Sequence, residues 1–348
     1  MFFRRFTYSM FVLLGVVVLV FLLFQGFGDP ARLVMGQRAD QKTRENIRKD
    51  LGLDQPRWKQ FLYYVNDISP ICVHHGNTIR DKQLKGIFFG NGDWKFGFKR
   101  PYLRRSYQTR REVGEMIAGA LPGTLLLASA AIIFATIMGI AAGVLSAVYK
   151  DTWVDGTTIF ASILGISAPS FFMAIAIAYL FGFLLHDITG LYMTGSWFDL
   201  DSTTGKPFLS LGNLWLPAIT LGIRPLAIIA QLTRASLLDT LQQDYVRTAV
   251  AKGLPRWKVI WKHALRNALN PVITAITGWF AELLAGAFFV EYIFGWKGLG
   301  KLTVDALAQL DFPVVMGAVL VSACFFVLVN FLADVLYRWV DPRMREIR

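Results

Sequence analysis

Six apolar runs, each long enough to cross a bilayer, constrain this chain more than any other feature: about Tyr8 to Phe27, Leu125 to Val148, Ile159 to Leu185, Leu214 to Leu238, Val272 to Ile293 and Val314 to Leu336. A hydrocarbon core about 30 Å thick takes roughly 20 helical residues, and backbone inside it must satisfy its own polar groups. The runs therefore predict an all-α integral membrane protein with about six transmembrane helices. A composition that is 54% hydrophobic and 17% charged agrees, being too apolar for an ordinary soluble domain. The formal charge of +12 does not point to nucleic acid, because Lys and Arg fall between apolar runs, where headgroups and topology account for them.

Topology follows from the basic residues of the short connections. Arg4 and Arg5 precede the first run, and the connection between the fourth and fifth carries Arg247, Lys252, Arg256, Lys258, Lys262 and Arg266. The tail adds Arg338, Arg343, Arg345 and Arg348, whereas the connection after the third run has Lys206 alone. Both termini are thus expected on the cytoplasmic side. The stretch Gln25-Gly26-Phe27-Gly28-Asp29-Pro30 lacks a small-x-small cleavage site, so the first run is expected to remain as a span. The basic segment that follows is expected outside, since long loops translocate largely regardless of charge. In it, Asp40 is expected to cap a short helix, and Phe61, Leu62, Val65 and Ile68 fall at helical spacing. The expected division is a first helix over 1–28, an external loop subdomain over 29–117, a five-helix core over 118–337 with a cytoplasmic connection at 239–270, and a tail over 338–348.

That cytoplasmic connection is too long for a tight turn. It reads as two short helices broken at Gly253-Leu254-Pro255, where Gly tolerates a bend and Pro cannot continue a helix. Beyond the break, Trp257, Ile260, Trp261, Ala264 and Leu265 recur opposite Arg256, Lys258 and Lys262, predicting an amphipathic helix for a partner or the membrane surface.

The run from Asp244 through Val246-Arg247-Thr248-Ala249 to Gly253-Leu254, followed by His263-Ala264-Leu265-Arg266-Asn267, resembles the Glu-Ala-Ala loop of binding-protein-dependent ABC importer permeases. Arg247 and Thr248 stand where the general pattern has Glu and Ala, while Ala249, Gly253 and Leu265 match it. These departures, with His263 and Arg266, are those of the dipeptide, oligopeptide and nickel subfamily. Gly28-Asp29-Pro30, Gly165-Ile166-Ser167-Ala168-Pro169-Ser170, Leu232-Thr233-Arg234-Ala235-Ser236, Val290-Glu291-Tyr292-Ile293-Phe294-Gly295 and Asp311-Phe312-Pro313 are similar to the subfamily's landmarks in order. The stretch Ile68 to Tyr102 departs from it by its length. The resemblance implies a type I importer permease fold in the bacterial inner membrane. It further implies a second homologous permease, two cytoplasmic ATP-binding subunits and an external solute-binding protein. ATP and magnesium would be bound by those ATPases, with no cofactor in this chain. It also implies that the loop docks in an ATPase groove through Arg247, Thr248, Ala249, Gly253 and Leu254.

Other signals are weaker. Gly295-Trp296-Lys297-Gly298-Leu299-Gly300-Lys301-Leu302 nearly spells a P-loop, but Leu302 replaces the Ser or Thr that reaches magnesium, and no strand precedes it. A membrane enzyme is disfavoured: no Gly-x-Ser-x-Gly or His-Glu-x-x-His run occurs, and all four His lie outside the apolar cores. Cys72, His74 and His75 fall short of a metal-ligand pattern. A secondary transporter or channel is the nearer rival, because Pro217, Gly222 and Pro225 suggest a broken fourth helix. Arg224 and Glu282 lie within apolar runs, where a charge is costly unless paired or facing a cavity, so they are candidate pathway residues. Gly139 and Gly143 form a small-xxx-small face suited to helix packing.

Overall fold

The computed structural model describes residues 2–26, 54–90, 92–200 and 207–340. Asp40 and its expected helix lie outside the described residues. In chain order the principal elements are α1 (Phe2–Gly26), α2 (Arg57–Ile68), β1 (Ile71–His75), β2 (Gly86–Phe89), β3 (Trp94–Lys99), α3 (Val113–Val148), α4 (Trp153–Ser167) and α5 (Ser170–Tyr179). They continue with α6 (Trp215–Leu241), α7 (Asp244–Ala251), α8 (Leu265–Gly286), α9 (Phe288–Ile293), α10 (Leu299–Ala308) and α11 (Phe312–Val340). Two compact units result, residues 1–120 with 302–324 and residues 121–301 with 325–348. The boundary expected at residue 118 falls inside α3, which runs unbroken for 36 residues.

Among the described residues three helices are long and apolar enough to cross a membrane: Val113–Val148, Leu211–Leu241 and Phe312–Leu332. Trp153–Ser167 and Ser170–Leu184 make a fourth as a pair bent by 111°. In the first run the described apolar stretch is the shorter Thr7–Leu23. The fifth helix begins at Leu265 rather than Val272, so it takes in Arg266, Asn267 and Asn270, and it ends at Gly286.

The break expected in the fourth run is found in the third. The backbone of Ala168 is extended, at φ −72° and ψ 131°, because the ring of Pro169 disfavours helical geometry in the residue before it. By contrast α6 is continuous over 27 residues, with Pro225 inside it. Pro217 falls in its first turn, where no intrahelical N–H is needed. The close seams are made by small residues. A Cβ on Gly139 would lie 2.9 Å from the Leu226 carbonyl, and one on Gly143 would lie 2.5 Å from that of Ala230, so α3 and α6 pack through the expected small-xxx-small face.

In the second unit, one apolar core joins Leu127 and Ala131 of α3, Ile177 of α5, Leu221 of α6, Leu283 of α8, and Phe294 and Trp296 beyond α9. In the first, α2 sits on α1 and α11 through Val20, Phe21, Tyr64, Phe312 and Met316. Leu62, which shares the helical spacing of Phe61, Val65 and Ile68, is exposed. Asp311 accepts hydrogen bonds from the Tyr107 N–H (2.9 Å) and from Ser106 Oγ, tying the segment before α3 to the start of α11.

Residues 71–99 form an antiparallel sheet, ordered β1-β3-β2, that the helical expectation did not include. Ile71 lies opposite Phe98 and Val73 opposite Phe96, while Ile87 and Phe89 face Phe98 and Phe96 from the other side. Cys72 donates to the Gly97 carbonyl at 3.5 Å, and His75 accepts from the Asn77 N–H at 3.5 Å.

Candidate functional site

The connection between α6 and α8 builds the candidate coupling surface. Asp244 opens α7, where a carboxylate favours the positive end of the helix. Val246 and Ala249, 2% and 5% exposed, point into this chain and pack with Val144 and Ala147 of α3, Leu237 of α6, and Val259, Ile260, Ala264 and Leu265. Asn267 Nδ2 donates to the Tyr245 hydroxyl at 2.8 Å, fastening α7 to α8.

The end of α7 explains the interval between Ala249 and Gly253. Gly253 adopts φ +76°; its N–H donates to the Val250 carbonyl at 2.9 Å, and the Leu254 N–H reaches the Ala249 carbonyl at 3.4 Å. This pair of reversed bonds is a Schellman motif, which needs a left-handed residue after the helix and an apolar one behind it. Leu254 fills the second role, packing against the cluster that holds Ala249. Ala249 seats α7 on its own core, and Gly253 turns the chain.

The free arc of α7 lies opposite Val246 and Ala249 and carries Arg247, Thr248 and Ala251. The side chain of Arg247 is 73% exposed, with Asp244 3.6 Å away, a surface pair that holds it weakly. The next segment departs from the expected stripe. Val259–Ala264 is a π-helical turn that buries Val259, Ile260 and Ala264 and leaves Trp257 and Trp261 exposed. Its wider turn brings Ile260 and Ala264 onto one face and rotates the tryptophans outward.

Beneath this surface lies a polar clamp that the sequence reading missed. Arg234 of α6 makes a two-pronged contact with Asp155 of α4, Nε to Oδ1 at 2.6 Å and an Nη to Oδ2 at 2.7 Å. Ser146 of α3 donates to Oδ1 at 2.5 Å, and the Asp151 N–H donates to Oδ2 at 3.0 Å. Three helices are thereby fixed one turn from Leu237, on which α7 rests.

A second missed group, Glu291, is fully buried. Its carboxylate accepts from Thr124 Oγ1 (2.7 Å) and from the Gly300 and Lys301 N–H groups (2.7 and 3.1 Å). Trp296 adds a bond from Nε1 to the Gly123 carbonyl at 2.9 Å. The P-loop look-alike therefore does wrap an anion at a helix start, but that anion is the chain's own carboxylate. A Cβ on Gly298 would come within 2.3 Å of it.

Arg224 and Glu282 are both exposed, and among the described residues no ion pair joins them. Each presents a charge on an otherwise apolar helix, which fits a face that meets water or another subunit.

Bent and straight apolar helices packed on small-residue seams, with a short helix moored on the chain's own core, define a polytopic membrane protein. Residues 139–346 match the family described as binding-protein-dependent transport system inner membrane component, and residues 1–128 match the N-terminal part of such membrane components. The chain belongs to this family, the permeases of ABC importers. It is 37% identical to the probable D,D-dipeptide transport system permease protein DdpB of Escherichia coli strain K12, over 96% of this chain and 94% of that one. It is 33% identical to the dipeptide transport system permease protein DppB of Alkalihalophilus pseudofirmus, over 98% of each chain. Identity to the glutathione transport system permease protein GsiC of Escherichia coli strain K12 is 36%, over 95% of this chain and 94% of that one.

Proposed function

We propose that this chain forms half of the translocation pathway of an ATP-driven importer of small peptides or peptide-like solutes. The other half is a second homologous permease, and two cytoplasmic ATP-binding subunits supply the energy. ATP and magnesium belong to those subunits, and an external solute-binding protein delivers the cargo. Both termini lie on the cytoplasmic side. Support for the cargo class comes from the relatives, whose names specify dipeptides and glutathione.

The observation that carries the reading is the two-sided character of α7. One face is locked to α3, α6 and the π turn through Val246 and Ala249, while the other offers Arg247 and Thr248 to a partner. A helix held this way acts as a lever: a rigid displacement of the docked ATPase moves the helices beneath it. Arg247 and Lys252 would pair with carboxylates of that ATPase, and Gly253 with Leu254 would keep the lever's end closed. Arg224 and Glu282 would line the pathway or its seam with the second permease.

Uptake of a labelled dipeptide into vesicles holding the assembled transporter tests this. ATP-dependent uptake competed by other small peptides, and abolished by Arg247→Glu, is the expected result. Uptake that persists without ATP or ATPase subunits would overturn it.

A further inference from the structure

The small sheet after α2 is built inside out. Its covered side carries buried His74 and Lys99 beside Cys72 and Phe88; Lys99 Nζ donates to the Asp67 carbonyl, and Asp67 itself is paired with Lys82 at 2.6 Å. Its open side is apolar. Val73, Phe96, Phe98, Ile87 and Phe89 are 47% to 66% exposed, and Trp94 extends the same face. In a sheet surrounded by water the alternation runs the other way, with apolar side chains inward.

We propose that this face rests in the headgroup and upper acyl region of the bilayer, with anionic phospholipid as its occupant. Three observations converge on that choice. The root of the subdomain, α2, packs on Val20 and Phe21 near the end of α1 and on Phe312 and Met316 in the first turns of α11, which holds it at the level of helix ends. Exposed Lys85 and Arg100 meet at one edge of the face, joined by a bond from the Arg100 N–H to the Lys85 carbonyl at 3.1 Å, beside Ile87 and Phe98. Cations beside apolar side chains fit a phosphate with its acyl chains, and a Trp-bearing aromatic surface with a basic rim is the composition of an interfacial belt. A protein that docks and departs fits less well, because transient interfaces are no more apolar than ordinary surface, whereas this face lacks polar side chains at its centre.

The test uses the full chain with Cys324→Ser, Cys72 being buried, and a spin label at Phe96→Cys or, separately, at Ile87→Cys. Exposed Asp81→Cys supplies the aqueous reference. Collision rates with oxygen and with a water-soluble nickel chelate are measured in nanodiscs of phosphatidylcholine, with and without phosphatidylglycerol. The expected result is an oxygen-to-nickel ratio several-fold higher at 96 and 87 than at 81 in the anionic discs. Replacing Lys85 and Arg100 by Gln is expected to lower the docked-to-undocked ratio there roughly thirtyfold. Nickel access at 96 and 87 equal to that at 81 in both compositions would overturn the proposal. So would shielding that arises only when a solute-binding protein is added, which would assign the face to a protein partner.

Discussion

Replacing Gly253 by Ala isolates the conformational demand at the end of α7. The residue sits at φ +76°, and a Cβ there would meet nothing within 4 Å, so the substitution brings no clash. What remains is the left-handed penalty of an L side chain, about 1–2 kcal/mol. Confined to the closing turn, that loss makes opening of the turn about 5- to 30-fold more frequent. Asn tolerates the left-handed region better, so Gly253→Asn is expected to fall between Gly and Ala. The readout is hydrogen exchange of the Leu254 amide, which is bonded to the Ala249 carbonyl. Arg247→Glu on the free arc should leave this exchange unchanged while weakening retention of the ATPase. Wild-type exchange in Gly253→Ala would refute the assignment of Gly253 to helix closure.

Other outcomes follow from the buried groups. Arg234→Ala leaves the Asp155 carboxylate buried without its cation and should cost about 3 kcal/mol, seen as a lower melting temperature in detergent, with Arg234→Lys recovering only part because it is single-pronged. Gly298→Ala drives a methyl group against the Glu291 carboxylate and should cost about 1–3 kcal/mol in the same assay. Burial pushes the His74 imidazole below its ordinary value of 6.5. The unfolded chain then takes up a proton that the folded subdomain refuses, so the associated stability is complete above pH 6.5 and falls as pH drops below it. Opening of β1 and β3, read as hydrogen exchange corrected for the intrinsic rate at each pH, should become more frequent as pH falls from about 7.5 to about 5.5, and His74→Asn should flatten that trend.

Much of this architecture is written in local pattern. Apolar runs placed the long helices, Gly253-Leu254-Pro255 marked the turn, and Gly139 with Gly143 marked a seam, because each effect acts within a few residues. Pro225 misled because a membrane helix tolerates proline where neighbouring helices fill the gap, and Pro217 because it falls in the first turn. Pro169, which made the sharp bend, stood in a run that looked continuous. The sheet was legible in the period-2 alternation Trp94-Lys95-Phe96-Gly97-Phe98-Lys99, a strand signal that the helical expectation passed over. Asp155 and Arg234 lie 79 residues apart, and Glu291 lies 167 from Thr124, so only the fold brings these partners together. The tryptophan stripe failed because a π turn replaces the 3.6-residue period on which it rested.

The central claim, that this permease is coupled to ATPases through the free arc of α7, is tested most directly by purifying the full chain in mild detergent. Mass spectrometry then identifies its companions, and ATP hydrolysis is measured in the same eluate. A second permease and P-loop ATPases with activity in the wild type, and loss of the ATPases in Arg247→Glu with the permease pair intact, is the predicted result. A stable chain that carries no ATPase, or ATPases retained undiminished by Arg247→Glu, would contradict it.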